Sequence, residues 1–193
     1  MHYIGLVLGL ALLAASMAAI AGCREDTVDV VPPLESDASS LSAAEALTNG
    51  LQAHRDGRLE EAATYYFQVL AQDYGNQYAL FNLGVIEQTN YNRPVAAESF
   101  YRLALVSDPD FESALFNLAV LRRDQGDSQE AMDLFRHLIT VNPDHARAYL
   151  NLGLVLRATG QPQEGDAAIE KALELDPNLR VPIPVESSSD ATP

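Results

Sequence analysis

Between Glu112 and Asp144 apolar residues recur with the period of a helix, stop, and recur again. Leu115, Leu118, Ala119 and Leu121 share one side of a helical spacing, Gln125-Gly126-Asp127 interrupts, and Ala131, Leu134, Phe135 and Leu138 resume before Asn142-Pro143. The stretch predicts two amphipathic helices joined by a glycine turn. The same order repeats along the chain. A displacement of thirty-four residues carries Ala131, Phe135 and Pro143 back onto Ala97, Tyr101 and Pro109, and carries Ala119 and Pro143 forward onto Gly153 and Pro177. A fixed period of that length marks a stacked array, in which each helix pair buries its apolar side against its neighbours.

Small residues fall where two helices must cross. Gly84, Ala119 and Gly153 stand on the first helix of successive pairs and Ala97 and Ala131 on the second, which lets the backbones approach closely, while Tyr101, Phe135 and Ile169 fill the wedge beside each crossing. Pro109, Pro143 and Pro177 end the second helices by pushing the residue before each ring out of the helical region. The segments Leu80-Phe81-Asn82-Leu83-Gly84, Leu115-Phe116-Asn117-Leu118-Ala119 and Tyr149-Leu150-Asn151-Leu152-Gly153, linked to those prolines at one period, resemble the tetratricopeptide repeat family. The resemblance covers Ala43 to about Leu179. It implies an all-α, right-handed α-solenoid of about four helix pairs, a repeat domain over 43–180 with repeats at about 43–76, 77–111, 112–145 and 146–179.

Three departures from the family pattern carry structural expectations. The first pair keeps Gly50, Gly57, Ala62 and Tyr66, but Ala46 stands where a large residue is usual and Tyr74 where proline is expected. The loop Thr89-Asn90-Tyr91-Asn92-Arg93 holds an inserted residue before Pro94 opens the next helix. Gly165 replaces the alanine of the last second helix, at a cost of about 0.5 to 1 kcal/mol in helix propensity, so that helix is expected to be the loosest.

The two ends read differently from the array. An apolar run from Ile4 to Gly22 ends in Ile20-Ala21-Gly22-Cys23 and breaks to Arg24-Glu25-Asp26, the pattern of a secretory signal over 1–22. Ile20-Ala21-Gly22-Cys23 resembles the bacterial lipoprotein signal box, which implies cleavage after Gly22 and a diacylglyceryl group on the sulfur of Cys23. Met1-His2-Tyr3 lacks the usual Lys or Arg, and the run is near the roughly 20 residues that span a bilayer, so an uncleaved N-terminal membrane helix is the alternative. Either reading exports the repeats to the periplasmic or extracellular side of a bacterial envelope. Residues 23–42, acidic, rich in Ser and broken by Pro32-Pro33, read as a flexible tether. In 181–193, Pro182 and Pro184 forbid a regular helix. Val181, Ile183 and Val185 are expected to fold back on the last helix, unless that end pairs with a second copy.

Composition narrows the function. A formal net charge of -15 disfavours nucleic acid, and the single cysteine, Cys23, excludes an intrachain disulfide. His2, His54, His137 and His145 fall at unrelated places, with His137 and His145 expected at the surface. Nothing resembles a catalytic constellation, a phosphate-binding loop or a metal site, so no enzyme activity, cofactor or metal is expected.

The family resemblance implies that the first helices line a concave groove able to bind a protein or peptide segment. The groove residues would be Tyr78, Phe81, Asn82, Val85, Gln88, Phe116, Asn117, Val120, Arg123, Leu150, Asn151, Leu154 and Arg157. The asparagine ladder either holds the backbone of an extended partner or bridges neighbouring repeats. Gln88, Arg123 and Arg157 occupy equivalent places, putting two guanidinium groups about 10 Å apart, unless they pair with Asp124 and Asp127 instead. The only lysine, Lys171, lies outside the groove, which disfavours a receptor for chaperone tails. The resulting expectation is a noncatalytic scaffold, similar to repeat lipoproteins that help assemble pili or outer-membrane proteins. The alternative is a homo-oligomeric adaptor that uses the ends of the solenoid.

Overall fold

A computed structural model describes residues 41–181 of the chain. Within them run eight helices and no strand: α1 (Ala43–Arg55), α2 (Leu59–Gln72), α3 (Gln77–Thr89), α4 (Pro94–Ser107), α5 (Glu112–Asp124), α6 (Ser128–Val141), α7 (Ala146–Ala158) and α8 (Pro162–Leu175). Each helix packs on the next in sequence, and α5 also touches α7. Contact confined to neighbours makes this an all-α solenoid of helix pairs. Cys23, the apolar run before it, the tether as far as Ser40, Ile183 and Val185 lie outside the described residues, whereas Ser42 at the end of that stretch already belongs to the fold. Among the described residues no helix is long and apolar enough to cross a membrane.

Local chemistry sets the boundaries of the helices. Ser42 and Glu45 form a reciprocal capping box that opens α1. The Asn76 side chain accepts from the Ala79 N–H at 3.1 Å to open α3. Pro94 and Pro162 stand in the first turns of α4 and α8, where a missing N–H costs nothing. Gly57, Gly126 and Gly160 follow α1, α5 and α7 with φ of 76°, 87° and 82°. The inserted residue leaves Asn92 at the equivalent place in the second pair, and its φ is 51°, the left-handed conformation that asparagine tolerates better than other side chains. After α4, α6 and α8, the side chains of Asp108, Asn142 and Asp176 accept from the N–H two residues on at 3.0–3.1 Å, so the prolines sit inside one recurring turn.

The core is the stack of wedges. Tyr66, Tyr101 and Phe135 are fully buried, and Ile169 serves in the last pair. The crossings are tight for different reasons. A Cβ on Gly84 would stand 2.6 Å from the Tyr101 ring, whereas a Cβ on Gly153 would stand 2.6 Å from the Gly165 carbonyl oxygen. Gly165 is buried at that contact. The glycine expected to loosen α8 thus faces Gly153 across a crossing with no room for a Cβ on either residue.

Two features join the pairs to one another and close the end. Arg122 is 2.7 Å from both Asp127 and Glu130 and 3.0 Å from Glu98, and Arg102 meets the same Glu98 and Glu130. Burial opposes the charge on Glu130, yet the two arginines hold its carboxyl below the usual range. This network ties α4, α5 and α6 together. At the C-terminal end, Leu179 and Val181 pack against Leu150, Ile169 and Ala172, covering apolar surface that a further repeat would otherwise bury.

Candidate protein-interaction face

The first helices α3, α5 and α7 carry the groove positions at helical spacing, and the structure separates them by exposure. Tyr78 is 49% exposed. Phe81, Asn82, Val85, Gln88, Phe116, Asn117, Val120, Arg123, Asn151 and Leu154 are half-buried, and Arg157 is exposed. Leu150 is only 8% exposed and belongs to the core with Ile169 and Ala172. Its assignment to the groove is therefore corrected: it packs with Ile169 and Ala172 in the cluster that Leu179 and Val181 also join from beyond α8.

The open aromatic surface is organised by the residues that precede α5 and α7. Phe111 meets Tyr78 edge-on at 5.4 Å and Phe81 at 5.5 Å. One repeat later His145 stacks on Phe116 at 5.3 Å. Such aromatic contacts fix ring orientation as well as bury area. His145 is half-buried, and its Nδ1 accepts from the Ala148 N–H at 3.1 Å, so it caps α7. That corrects its expected place at the surface, while His137 is exposed beside Asp110 at 2.9 Å. Arg147, one position into the first turn of α7, lays its guanidinium 4.5 Å from the centre of the Phe116 ring.

The polar residues of the same face form a seam between repeats. The Tyr101 hydroxyl donates to Gln88 Oε1 at 2.8 Å and accepts weakly from Asn117 Nδ2 at 3.4 Å. One pair earlier, the Tyr66 hydroxyl lies 3.4 Å from His54 Nδ1. Phe135 has no hydroxyl at the matching place, and there Arg123 reaches across to donate to Asn151 Oδ1. Asn82 donates to the Tyr78 carbonyl and Asn151 to the Arg147 carbonyl, each at 2.7 Å. The ladder thus spends amide donors within the fold, and the bridging alternative describes Asn117 and Asn151. Of the arginines in register, Arg123 also pairs with Asp124 at 2.7 Å, and Arg157 stands 3.5 Å from Asp166.

Phe111, His145 and Arg147 were absent from the sequence-based set. Their signal was present, since Phe111 and His145 are thirty-four residues apart immediately ahead of first helices, and Arg147 is the periodic equivalent of Tyr78. Among the described residues no group of three or more His, Cys, Asp or Glu could hold a metal ion, and no buried side-chain polar atom lacks a hydrogen bond.

The seam makes a prediction about alkaline stability. Burial pushes the Tyr66 and Tyr101 phenols up to about 12. Their folded values lie above the ordinary value of about 10, so the unfolded chain loses these protons first, and their contribution is complete below pH 10 and lost as pH rises towards 12. The urea midpoint should fall between pH 10 and 12, and fall less steeply in Tyr101→Phe. A flat midpoint over that window, or an unchanged slope in the variant, would contradict the burial assigned to the hydroxyl.

A family model for the tetratricopeptide repeat matches residues 47–112, 92–141 and 116–179. No match was found among curated proteins. Among solved structures the chain is similar to a crystal structure of MamA, at 21% identity over 70% of this chain and 78% of that one, with a TM-score of 0.64. It is similar to MamA residues 41 to the end from Desulfovibrio magneticus RS-1, at 23% identity over 70% of this chain and 76% of that one, with a TM-score of 0.62. It is also similar to Pseudomonas aeruginosa pilF, at 28% identity and a TM-score of 0.63, over 71% of this chain but only 62% of that one. The MamA similarities bear on the fold alone.

Proposed function

Because the chain belongs to the tetratricopeptide repeat family, whose helix pairs serve as protein-interaction scaffolds, we propose that it is a noncatalytic adaptor of a bacterial envelope that binds a partner segment along α3, α5 and α7. The observation that carries this reading is the run of half-open apolar side chains on those helices, Tyr78, Phe81, Phe116, Val120 and Leu154. The fold fixes their orientation without covering them, and such a run is the kind of surface that a partner buries. Export and a lipid anchor at Cys23 are supported by Ile20-Ala21-Gly22-Cys23, and a role in assembling a pilus or outer-membrane complex by the resemblance to repeat lipoproteins. Pairing through the C-terminal end is the weaker reading, since Leu179 and Val181 already occupy that apolar surface.

One capture experiment from solubilised envelope tests both halves. Tyr78→Asp is expected to reduce partner recovery at least tenfold, with helical content and melting unchanged, because it places an unpaired carboxylate among the rings. Undiminished recovery would exclude this face as the binding surface. Mass spectrometry of the wild-type bait should find the mature chain beginning at acylated Cys23, and Cys23→Ala should lose the acyl mass. An intact Met1 on membrane-bound protein would instead establish the uncleaved helix.

A further inference from the structure

The unspent charge on the groove face indicates the chemistry of the segment it takes, an inference that rests on the groove reading above. Among the arginines and lysines of the described residues, only Arg55, Arg147 and Arg180 have no described carboxylate within 4.0 Å. Arg55 donates to the Leu51 carbonyl of its own helix at 3.4 Å, and Arg180 lies beyond the last helix. Arg147 is the one on the groove face, resting over Phe116. A guanidinium that lies on a ring stays charged and ordered, with its edge N–H groups still able to donate to a carboxylate in fork geometry. In a chain of net charge -15, a cation left unneutralised beside half-buried aromatic surface is complementary to an anion from elsewhere.

Arg147 starts two first helices from Tyr78, but its guanidinium reaches back over Phe116 of α5, so the apolar counterpart lies one repeat before that contact, where Tyr78 and Phe81 meet Phe111. Successive first helices stand about 10 Å apart. An extended chain advances roughly 3.3 Å per residue, so it crosses that distance in about three residues. We propose that the groove takes an extended partner segment with a large apolar side chain seated against Tyr78 and Phe111, and an Asp or Glu three residues away that pairs with Arg147.

A phage-displayed library of random nonapeptides, selected on the purified full-length chain in detergent micelles, tests this. The wild-type protein should enrich peptides with an aromatic or large aliphatic residue three positions from an acid. Arg147→Glu should exchange that acid for Lys or Arg while keeping the apolar residue. By fluorescence anisotropy, a selected acidic peptide should bind Arg147→Gln at least tenfold more weakly than wild type, whereas its Asn analogue should not distinguish the two proteins. Enrichment of apolar peptides without the acid, lost in Tyr78→Asp but unaffected by Arg147→Glu, would overturn the carboxylate assignment and leave the groove reading standing. Enrichment that survives both substitutions, or no enrichment on the wild type, would overturn both.

Discussion

Gly153→Ala is expected to destabilise the last helix pair by about 2 kcal/mol or more, net of the roughly 1 kcal/mol that alanine gains in helix propensity. The added Cβ would meet the Gly165 carbonyl oxygen and Ile169 Cγ1 at 2.6 Å and the Ile169 amide nitrogen at 3.1 Å. Two of those three atoms are backbone, so relief requires α8 to move as a body, opening the crossing that buries Ile169. In an array held by neighbour contacts the loss should concentrate in α7 and α8, and hydrogen exchange should report it there before the melting of the earlier pairs changes. Gly160→Ala is the control. It has a φ of 82° and nothing within 4 Å of an added Cβ, so it should cost only the roughly 1 to 2 kcal/mol of left-handed strain. If Gly153→Ala proved as stable as wild type, the close backbone crossing would be wrong.

Phe135→Ala should cost more, about 3 to 5 kcal/mol, as for other fully buried aromatic residues. Phe135 has no exposed surface and packs among Leu115, Ala131, Leu138 and Leu152. Its loss should also reach the groove, because the Phe116 ring leans edge-on against it at 6.1 Å while carrying His145 and Arg147 on its own surface. Denaturant unfolding measures the first effect. The second should appear as broadened or shifted side-chain resonances of Phe116 and His145 in the folded variant under conditions where it remains native. Unperturbed resonances there would separate the core from the face, and a cost under 1 kcal/mol would remove Phe135 from its place as the wedge of the third pair.

Much of the fold was legible because its causes are periodic. Pro109, Pro143 and Pro177, the small residues at Ala97, Ala131 and Gly165, and the rings at Tyr101 and Phe135 recur at one interval, so each repeat confirms the reading of the others. What was not legible depends on single side chains that break the period. Leu150 has the spacing of Phe81 and Phe116, yet it is core, in one cluster with Ile169 and Ala172 against which Leu179 and Val181 also pack. Gly165 reads as a weak helix former until Gly153 is seen to face it. The fate of the asparagines turns on whether the wedge residue has a hydroxyl: Tyr101 meets Asn117, while beside Phe135 Arg123 takes over the link to Asn151. Arg123 drew notice in the sequence because it is in register with Arg157, yet its neighbour Arg122 points to the other side and joins three helices. Adjacent residues on a helix diverge by about 100°, so sequence proximity cannot tell which of the two does so.

The proposed function requires that partners be held on the first helices and not on the outer faces of the second ones. Site-specific photocrosslinking in intact envelope measures this directly, with a benzophenone side chain placed in turn at Tyr78 and Val120 on the groove face and at Ser99 and Asp133 on α4 and α6. Discrete crosslinked products are expected from Tyr78 and Val120, competed away by a selected groove-binding peptide, and none from Ser99 or Asp133. Products from Ser99 or Asp133 that the peptide does not displace, with none from Tyr78 or Val120, would contradict the proposed function.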